Sequence, residues 1–312
     1  GWVGTQRYPG TWAGDTQTTW EAFRCCLRGG LSVGFTGECF WSHDIGGFVG
    51  DMPSPELYIR WLQLGMLSPF TRFHGNGVRE PWHYGDTAVA VARYYGRLRY
   101  RLIPYLLALA EEAVAEGIPL QRHCALACPD EPGMAHLDDQ FLLGSDLLVA
   151  PVQEAGARQR LVCLPRGTWY VFEDDQRLAG GSWHEIAAPL ERMPVLVRGG
   201  ALLPSYEEAQ QHLKEAVPDL LQWDCWPASA PRRVARHFDD GGGMVRASHD
   251  SGPAGGRITI HAGDRPQLVH LHGIPVRAIQ APAEARIREA DGITTVDCPA
   301  IAELTIDYTS PG

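Results

Sequence analysis

Residues 40–48 read FWSHDIGGF, and an earlier stretch, 12–16, reads WAGDT. Each sets one aspartate among aromatic residues and glycines, just ahead of a segment with helical character. Turn chemistry accounts for many Asp-Gly pairs, because Asp hydrogen-bonds its own backbone and Gly accepts a positive φ. The surroundings of these two aspartates point further. Thr18–Glu21 (TTWE) reads as a capping box opening a helix to about Arg28, with Gly29 and Gly30 as its stop. LSVGF at 31–35 reads as a short buried strand, and the FWSHDIGGF loop follows it. Ser54 caps the next helix with Pro55 at its first position. Tyr58, Trp61, Leu62 and Gly65 fall at i, i+3, i+4, i+7 along that helix. A longer helical stretch follows Asp86, breaks near Pro104 and ends at Gly117, and IPLQRHC is a further strand.

Strand, loop and helix in repetition mark a parallel α/β fold. In a (β/α)8 barrel the loops after the strands build the active face. Asp15 and Asp44 both lie in loops that lead into helices, so both are expected at the same end of the barrel. After about residue 140 the texture changes. Short apolar runs recur between turn residues (LLVAPV, RLVCLP, TWYVF, PVLVRGGALLP), and later segments alternate (RITIH, QLVHLH, TTVDC, ELTIDY). The expected fold class is α/β plus all-β: the C-terminal part of a (β/α)8 TIM barrel over 1–138, then two small antiparallel β-sandwich domains. The proximal one covers 139–204 and the distal one 205–312, with a boundary near Pro204.

The chain of 312 residues carries 37 acidic against 27 basic residues, a net charge of −10. That balance argues against nucleic acid as the main partner, which needs clustered Lys and Arg. A neutral, hydroxyl-rich substrate fits better, and among ten tryptophans some flat faces can serve sugar rings as well as the core. Eight cysteines form no CxxC pair, so neither zinc spacing nor a disulfide framework is expected. Buried thiols in a reducing cytoplasm are the expected state, and the cytoplasm the expected location. No apolar run reaches the ~18 residues of a membrane span, so no membrane partner is expected. His43, Asp44 and His74 read as metal ligands only without supporting HxxxH or Cys spacing. HFDDGGG at 237–243 lacks the spaced ligands of an EF-hand loop. No metal and no cofactor are expected.

Four ordered motifs, QRYPGTWAGDT, CFWSHDIGGF, SPELYIRWLQLG and RFHG, resemble glycoside hydrolase family 31, whose members are retaining α-glycosidases. The resemblance covers residues 1 to about 204 and weakens beyond. It implies that Asp15 is the general acid/base and that Trp12 lines the subsite of the sugar to be released. It implies further that Asp44 and Phe48 face that sugar and that His74 hydrogen-bonds its hydroxyls, with Trp41 a neighbouring candidate. Retaining hydrolysis uses two carboxyl groups ~5–5.5 Å apart, and the acid needs a raised pKa, for which a tryptophan neighbour supplies apolar surface.

The resemblance also places the nucleophile on an earlier strand, and a sugar-facing arginine just before this chain's start. Only loop is expected ahead of Asp15, and Arg7 belongs to the QRYPG turn. The chain is therefore expected to be the C-terminal portion of a larger enzyme, without the nucleophile and inactive alone. LRGGLSVGFTGECFWSHDIGGF resembles bacterial α-xylosidases, so the expected reaction releases terminal α-xylose from the non-reducing end through a covalent glycosyl-enzyme. The alternatives are an α-glucosidase, a transglycosylase or lyase of the same family, and a non-catalytic carbohydrate-binding fragment. The expected partners are an oligosaccharide or α-glycoside substrate, with a homo-oligomer of the full-length enzyme left open.

Overall fold

The computed structural model describes residues 4, 7–213, 215–301 and 303–310. The chain forms two compact units that interleave along the sequence. The first comprises Gly1–Arg99, Ala113–Pro165 and Gly181–Leu196, and the second Tyr100–Glu112, Arg166–Gly180 and Val197–Gly312. No helix among the described residues is long and apolar enough to cross a membrane.

The first unit opens with β1 (Thr11–Trp12), α1 (Trp20–Gly34) and β2 (Trp41–Ser42). β1 and β2 pair in parallel, Thr11 opposite Trp41 and Trp12 opposite Ser42, with α1 as the crossover that parallel neighbours require. A strand therefore does precede Asp15, contrary to the expectation of loop alone. Its two residues are too few to carry a periodic signal. The N-cap of α1 is Thr19 rather than Thr18: the Thr19 hydroxyl accepts from the Ala22 N–H at 3.1 Å, while the Thr18 hydroxyl donates to Asp51 O at 2.6 Å.

The larger departure is that α1 runs through Gly29, Gly30 and the expected strand at 31–35. Phe23, Cys26, Leu27, Gly30, Leu31 and Gly34 are buried at helical spacing. Gly30 lies against the Trp41 indole, where a Cβ would stand 2.3 Å from a ring carbon. The glycine is there for close approach, and tertiary packing overrides its helix-stopping tendency.

The next helices follow the sequence reading. In α2 (Pro55–Met66) the Ser54 hydroxyl accepts from the Leu57 N–H at 3.3 Å, with Pro55 in the first turn. Arg60 on this helix is fully buried and donates to the carbonyls of Ala157, Ala188, Pro189 and Arg192 at 2.8–3.1 Å. Those bonds tie α2 to two later loops. α3 (Asp86–Arg101) and α4 (Ile103–Glu116) separate at Leu102, and Gly117, with φ 70°, closes α4.

In chain order the strands continue as β3 (Gln121–His123), β4 (Phe141–Leu143), β5 (Leu147–Val149), β6 (Gln159–Leu164), β7 (Thr168–Val171), β8 (Arg177–Ala179), β9 (Ser182–Ala187) and β10 (Val195–Arg198). In the first unit β3, β4 and β5 form an antiparallel meander and β6 pairs with β9; in the second, β7 and β8 form a hairpin.

The remaining strands of the second unit are β11 (Leu202–Tyr206), β12 (Leu221–Cys225), β13 (Arg232–Asp239), β14 (Met244–Gly252), β15 (Gly255–His261), β16 (Gln267–His272), β17 (Ile279–Gln280), β18 (Arg286–Ala290), β19 (Ile293–Cys298) and β20 (Leu304–Thr309). They make two five-stranded sheets, ordered β11-β12-β16-β19-β18 and β13-β14-β15-β20-β17. Trp223, Leu271 and Val296 of the first share one core with Phe238, Ile258 and Ile306 of the second. Pro204 lies within edge strand β11, a place where a missing N–H is tolerated. One pair departs from the antiparallel expectation: β12 and β16 run parallel, Leu221 opposite Gln267. The chain leaves the first sheet after β12, lays down β13–β15 in the second and returns in the same direction.

The two adjacent glycines of α1 give a paired test. A Cβ at Gly29 meets nothing within 4 Å, so Gly29→Ala should stabilise by about 1 kcal/mol through helix propensity. Gly30→Ala should destabilise by about 1–3 kcal/mol, because overpacking against Trp41 outweighs that gain. Denaturant midpoints of the two variants should move in opposite directions; movement in the same direction would refute this packing account of α1.

Candidate active site

Asp15 sits exposed in the turn after β1. The turn is made by Gly14, at φ 77°, whose carbonyl accepts from the Thr16 N–H at 3.0 Å. It is bonded directly to the DIGGF loop: Thr16 O accepts from the N–H groups of Phe48 and Val49 at 2.7 and 3.0 Å, and the Thr18 N–H donates to Val49 O at 3.1 Å. This close approach explains the second glycine of the pair. Gly47 has φ 80°, and a Cβ on it would stand 2.7 Å from Gln17 O, a backbone atom that cannot move aside cheaply.

Asp44 begins that loop with its side chain 1% exposed. Its Oδ1 accepts from the Trp12 indole Nε1–H at 3.0 Å. The Arg72 guanidinium grips both oxygens, Nε on Oδ1 and Nη2 on Oδ2 at 3.1 Å. The same guanidinium lies 4.2 Å above the Trp12 ring centroid. A two-pronged, charge-assisted contact of this kind is strong and directional.

Phe48 and His74 stand beside each other, with ring centroids 5.4 Å apart and planes at 44°. Phe48 is half-buried and His74 exposed. Arg79, 3% exposed, fastens the loop after His74 to the DIGGF loop by donating from Nε to Gly47 O at 2.9 Å. Gly75 leaves room for it, since a Cβ there would be 2.7 Å from the Arg79 Nε.

The structure thus brings Trp12 together with Asp44, and Phe48 with His74, while the backbone of the Asp15 turn is bonded to Phe48. Trp41 lies apart from these pairs, buried on Gly30 and 5.5 Å from the His43 ring. With Trp12 and Thr16 it lines a cavity of about 370 Å³ against α1. Two arginines were not singled out from sequence, Arg72 and Arg79. The signal for Arg72 was within RFHG itself, two residues before His74.

His43 is fully buried, and both ring nitrogens are engaged. Nδ1 accepts from the Trp61 indole at 3.0 Å, which leaves the proton on Nε2 to face Ser68 Oγ at 3.2 Å. That use of both nitrogens is incompatible with metal ligation, and among the described residues no cluster of His, Cys, Asp and Glu could hold a metal ion. Burial lowers the His43 pKa to about 4, against the opposing charge of Asp44.

The parallel strands β1 and β2 lead into loops that carry Asp15, which is exposed, and Asp44, which is buried and salt-bridged. The chain belongs to glycosyl hydrolase family 31: the family's TIM-barrel domain matches residues 1–109 and its C-terminal domain residues 117–203. It is 38% identical over 218 residues to an alpha-xylosidase of Emericella nidulans, covering 65% of this chain and 27% of that protein. It is 34% identical over 206 residues to alpha-glucosidase 2 of Bacillus thermoamyloliquefaciens, covering 65% and 26%. Its fold is similar to the GH31 dextranase of Flavobacterium johnsoniae complexed with glucose, with a TM-score of 0.88 and 28% identity over 98% of this chain and 44% of that one. The chain spans about a quarter of the length of these curated relatives.

The neutral, buried His43 makes stability depend on acid. Its folded pKa of about 4 lies below the ordinary value of 6.5, so the unfolded chain takes up the proton first. The contribution is complete above about pH 6.5 and is lost as pH falls toward 4, roughly 3 kcal/mol across that window. His43→Gln should be less stable at pH 7 but show a flatter decline between pH 6.5 and 4. Melting curves across that range check this, and equal slopes in the two proteins would exclude His43 as the source.

Proposed function

We propose that this chain forms the acid/base side of a retaining α-glycosidase centre, with Asp15 as general acid/base. Trp12, Asp44, Phe48 and His74 hold the sugar released from the non-reducing end, with Trp41 behind them. The observation that carries this reading is the exposed Asp15 on a turn bonded to the loop that presents Asp44 and Phe48. Two carboxyl groups on neighbouring strand ends are thereby given opposite settings. One is free to meet a glycosidic oxygen; the other is held by Arg72 and Trp12.

Those bonds support reading Asp44 as a sugar contact and not as the nucleophile. Both Asp44 oxygens accept hydrogen bonds from cationic or indole donors, which draws electron density away from an attacking oxygen. The nucleophile, ~5–5.5 Å from the acid in a retaining site, is assigned to a part of the protein outside residues 1–312. Asp15 donates its proton to the leaving oxygen as the glycosyl-enzyme forms, then removes a proton from the water that hydrolyses it. The fold reading that accompanies this is a barrel portion followed by two β-sandwich domains.

The likeness to an alpha-xylosidase favours α-xylosides, and that to an alpha-glucosidase supports α-glucosides as the second reading. The two sugars differ by one CH₂OH, worth only ~1–3 kcal/mol in an apolar pocket. The intact enzyme should therefore act on both p-nitrophenyl glycosides with higher kcat/KM on the xyloside; a clear glucoside preference overturns that choice while leaving the Asp15 assignment standing.

The roles of the two aspartates separate by azide rescue. Asp15→Ala in the intact enzyme should slow hydrolysis of natural disaccharides by on the order of 10²–10⁴. It should slow glycosylation by 2,4-dinitrophenyl glycosides much less, because that leaving group departs without a proton. Azide needs no general base, so it should restore turnover and give an α-glycosyl azide. Asp44→Asn should weaken every substrate alike and gain nothing from azide. Rescue of Asp44→Asn in place of Asp15→Ala would reverse the assignment.

A further inference from the structure

Two histidines that take no part in the centre described above, His270 and His272, sit on β16 in the second compact unit. His272 is buried, and each of its ring nitrogens faces a different carboxylate. Nδ1 stands 2.7 Å from Asp175 Oδ2, and Nε2 stands 3.1 Å from Asp224 Oδ1. The buried Trp226 ring covers one face of the imidazole, with centroids 4.1 Å apart and planes at 14°. Its Nε1–H donates to the other oxygen of Asp175, Oδ1, at 2.8 Å. Asp175 belongs to the turn between β7 and β8, and Asp224 to β12. One imidazole therefore joins that turn to the sheet of β12 and β16, all within the second unit.

A neutral imidazole has a single N–H. It can donate to one of these carboxylates, and its other nitrogen then turns a lone pair toward the second. The geometry is satisfied by the imidazolium, which donates to both. Burial by itself lowers the His272 pKa, but the hydrogen bonds to Asp175 and Asp224 and the charges of both outweigh it and raise it to about 9. Against the same effect of burial, the bonds from His270 and His272 hold Asp224 well below the usual carboxylate range, and His272 and Trp226 lower Asp175. The other neighbours leave the charge on His272 as the variable. His270 meets Asp224 Oδ1 through Nδ1 at 3.2 Å, a bond that a neutral ring can make. Gln222 donates to Asp224 Oδ2 at 2.8 Å. From β19, Thr295 and Ile293 stand opposite His270 and His272 and bring no charge. On the hairpin, the charges of Arg177 and Asp175 reach Tyr170, whose phenol burial raises above its ordinary value.

We propose that the His272 imidazolium is a proton-operated latch that holds the β7–β8 turn on the sheet of β12 and β16. When the proton leaves for solvent, the ring keeps one of its two bonds. Asp224 retains Gln222 and His270, whereas Asp175 stands on a turn with its side chain 33% exposed and water within reach. Asp175 is the end that lets go. Its backbone sits at φ 57°, a left-handed conformation uncommon outside glycine, and its own N–H closes the turn on Val171 O at 2.9 Å. Loss of the His272 bond removes a contact that holds this conformation. In the released turn His272 returns to its ordinary value of 6.5. The latch is therefore complete below about pH 6.5, weakens as pH rises, and is lost above about 9. The inference is independent of the glycosidase reading and uses none of its residues.

The test joins two measurements on the intact protein between about pH 6 and about pH 10. Histidine Cε1–H resonances report protonation, with His272 assigned by its contact with the Trp226 ring. Amide hydrogen exchange reports the turn, as protection factors at Val171 and Asp175, with the central strand β15 as reference. His272 should titrate near 9. Protection at Val171 and Asp175 should fall about tenfold per pH unit from about 6.5 toward 9 and then level off, while β15 keeps its own. Asp175→Asn should move the His272 titration down toward 6.5 and flatten the fall. His272→Gln should abolish the pH dependence of the turn. Should either variant fail to fold, the two measurements on the unsubstituted protein decide alone. A His272 titration near 6.5 overturns the proposal. So does a turn whose protection ignores pH while His272 titrates near 9, since the charge then has a structural part only. An unchanged His272 titration in Asp175→Asn overturns it as well.

Discussion

The Asp44 carboxylate is withdrawn from water, and an ion so placed costs several kcal/mol unless partners replace its hydration. Its partners come from separate stretches of chain. The Trp12 indole arrives from the end of β1 and the Arg72 guanidinium from the segment after α2. Satisfying one buried charge therefore fixes the ends of β1 and β2 and the loop after α2 against one another. Arg72 does this twice over, since its flat face lies on the Trp12 ring while its edge meets the carboxylate. The indole is left with one orientation, its N–H toward Asp44 and one face covered. Asp15, by contrast, is exposed.

Glycine placement follows from the same crowding. Gly47 and Gly75 sit where backbone or a guanidinium passes within reach of any side chain. Each closes one side of the small region that joins the Asp15 turn, the DIGGF loop and the loop after His74. Arg79 is the third fastener, a buried cation whose charge is spread over the carbonyls of Gly47 and Val78. The site is thus held by two arginines and two close glycine contacts more than by apolar packing, in keeping with loops that must also face water.

Sequence pattern made α2 legible because its cap, its first-turn proline and its apolar spacing agree. It made most of the later strands legible because alternation survives even in runs of five or six residues. It failed where the deciding partner is remote. Gly29-Gly30 carries a local stop signal that the Trp41 ring cancels from across the fold. β1 and β2 are two residues each and have no period to detect. Arg72 and Arg79 are ordinary surface residues by type, and only the carboxylate and carbonyls they meet distinguish them. The motif residues proposed for the site were picked out as a set by the family resemblance, and the bonds among them had no signal in the sequence.

The parallel pairing of β12 with β16 governs how the second unit can be assembled. These strands are neighbours in one sheet, yet the whole of β13, β14 and β15 lies between them in the chain and belongs to the other sheet. Their contact closes a long loop, and the entropy of that closure is met before its contacts form. The intervening hairpins β13–β14 and β14–β15 are local and can form first, which shortens the effective loop and sets a natural order of events. The cost is speed, since non-local pairing slows folding. The return is cooperativity: the two sheets bury one common core, so each is stabilised by the presence of the other.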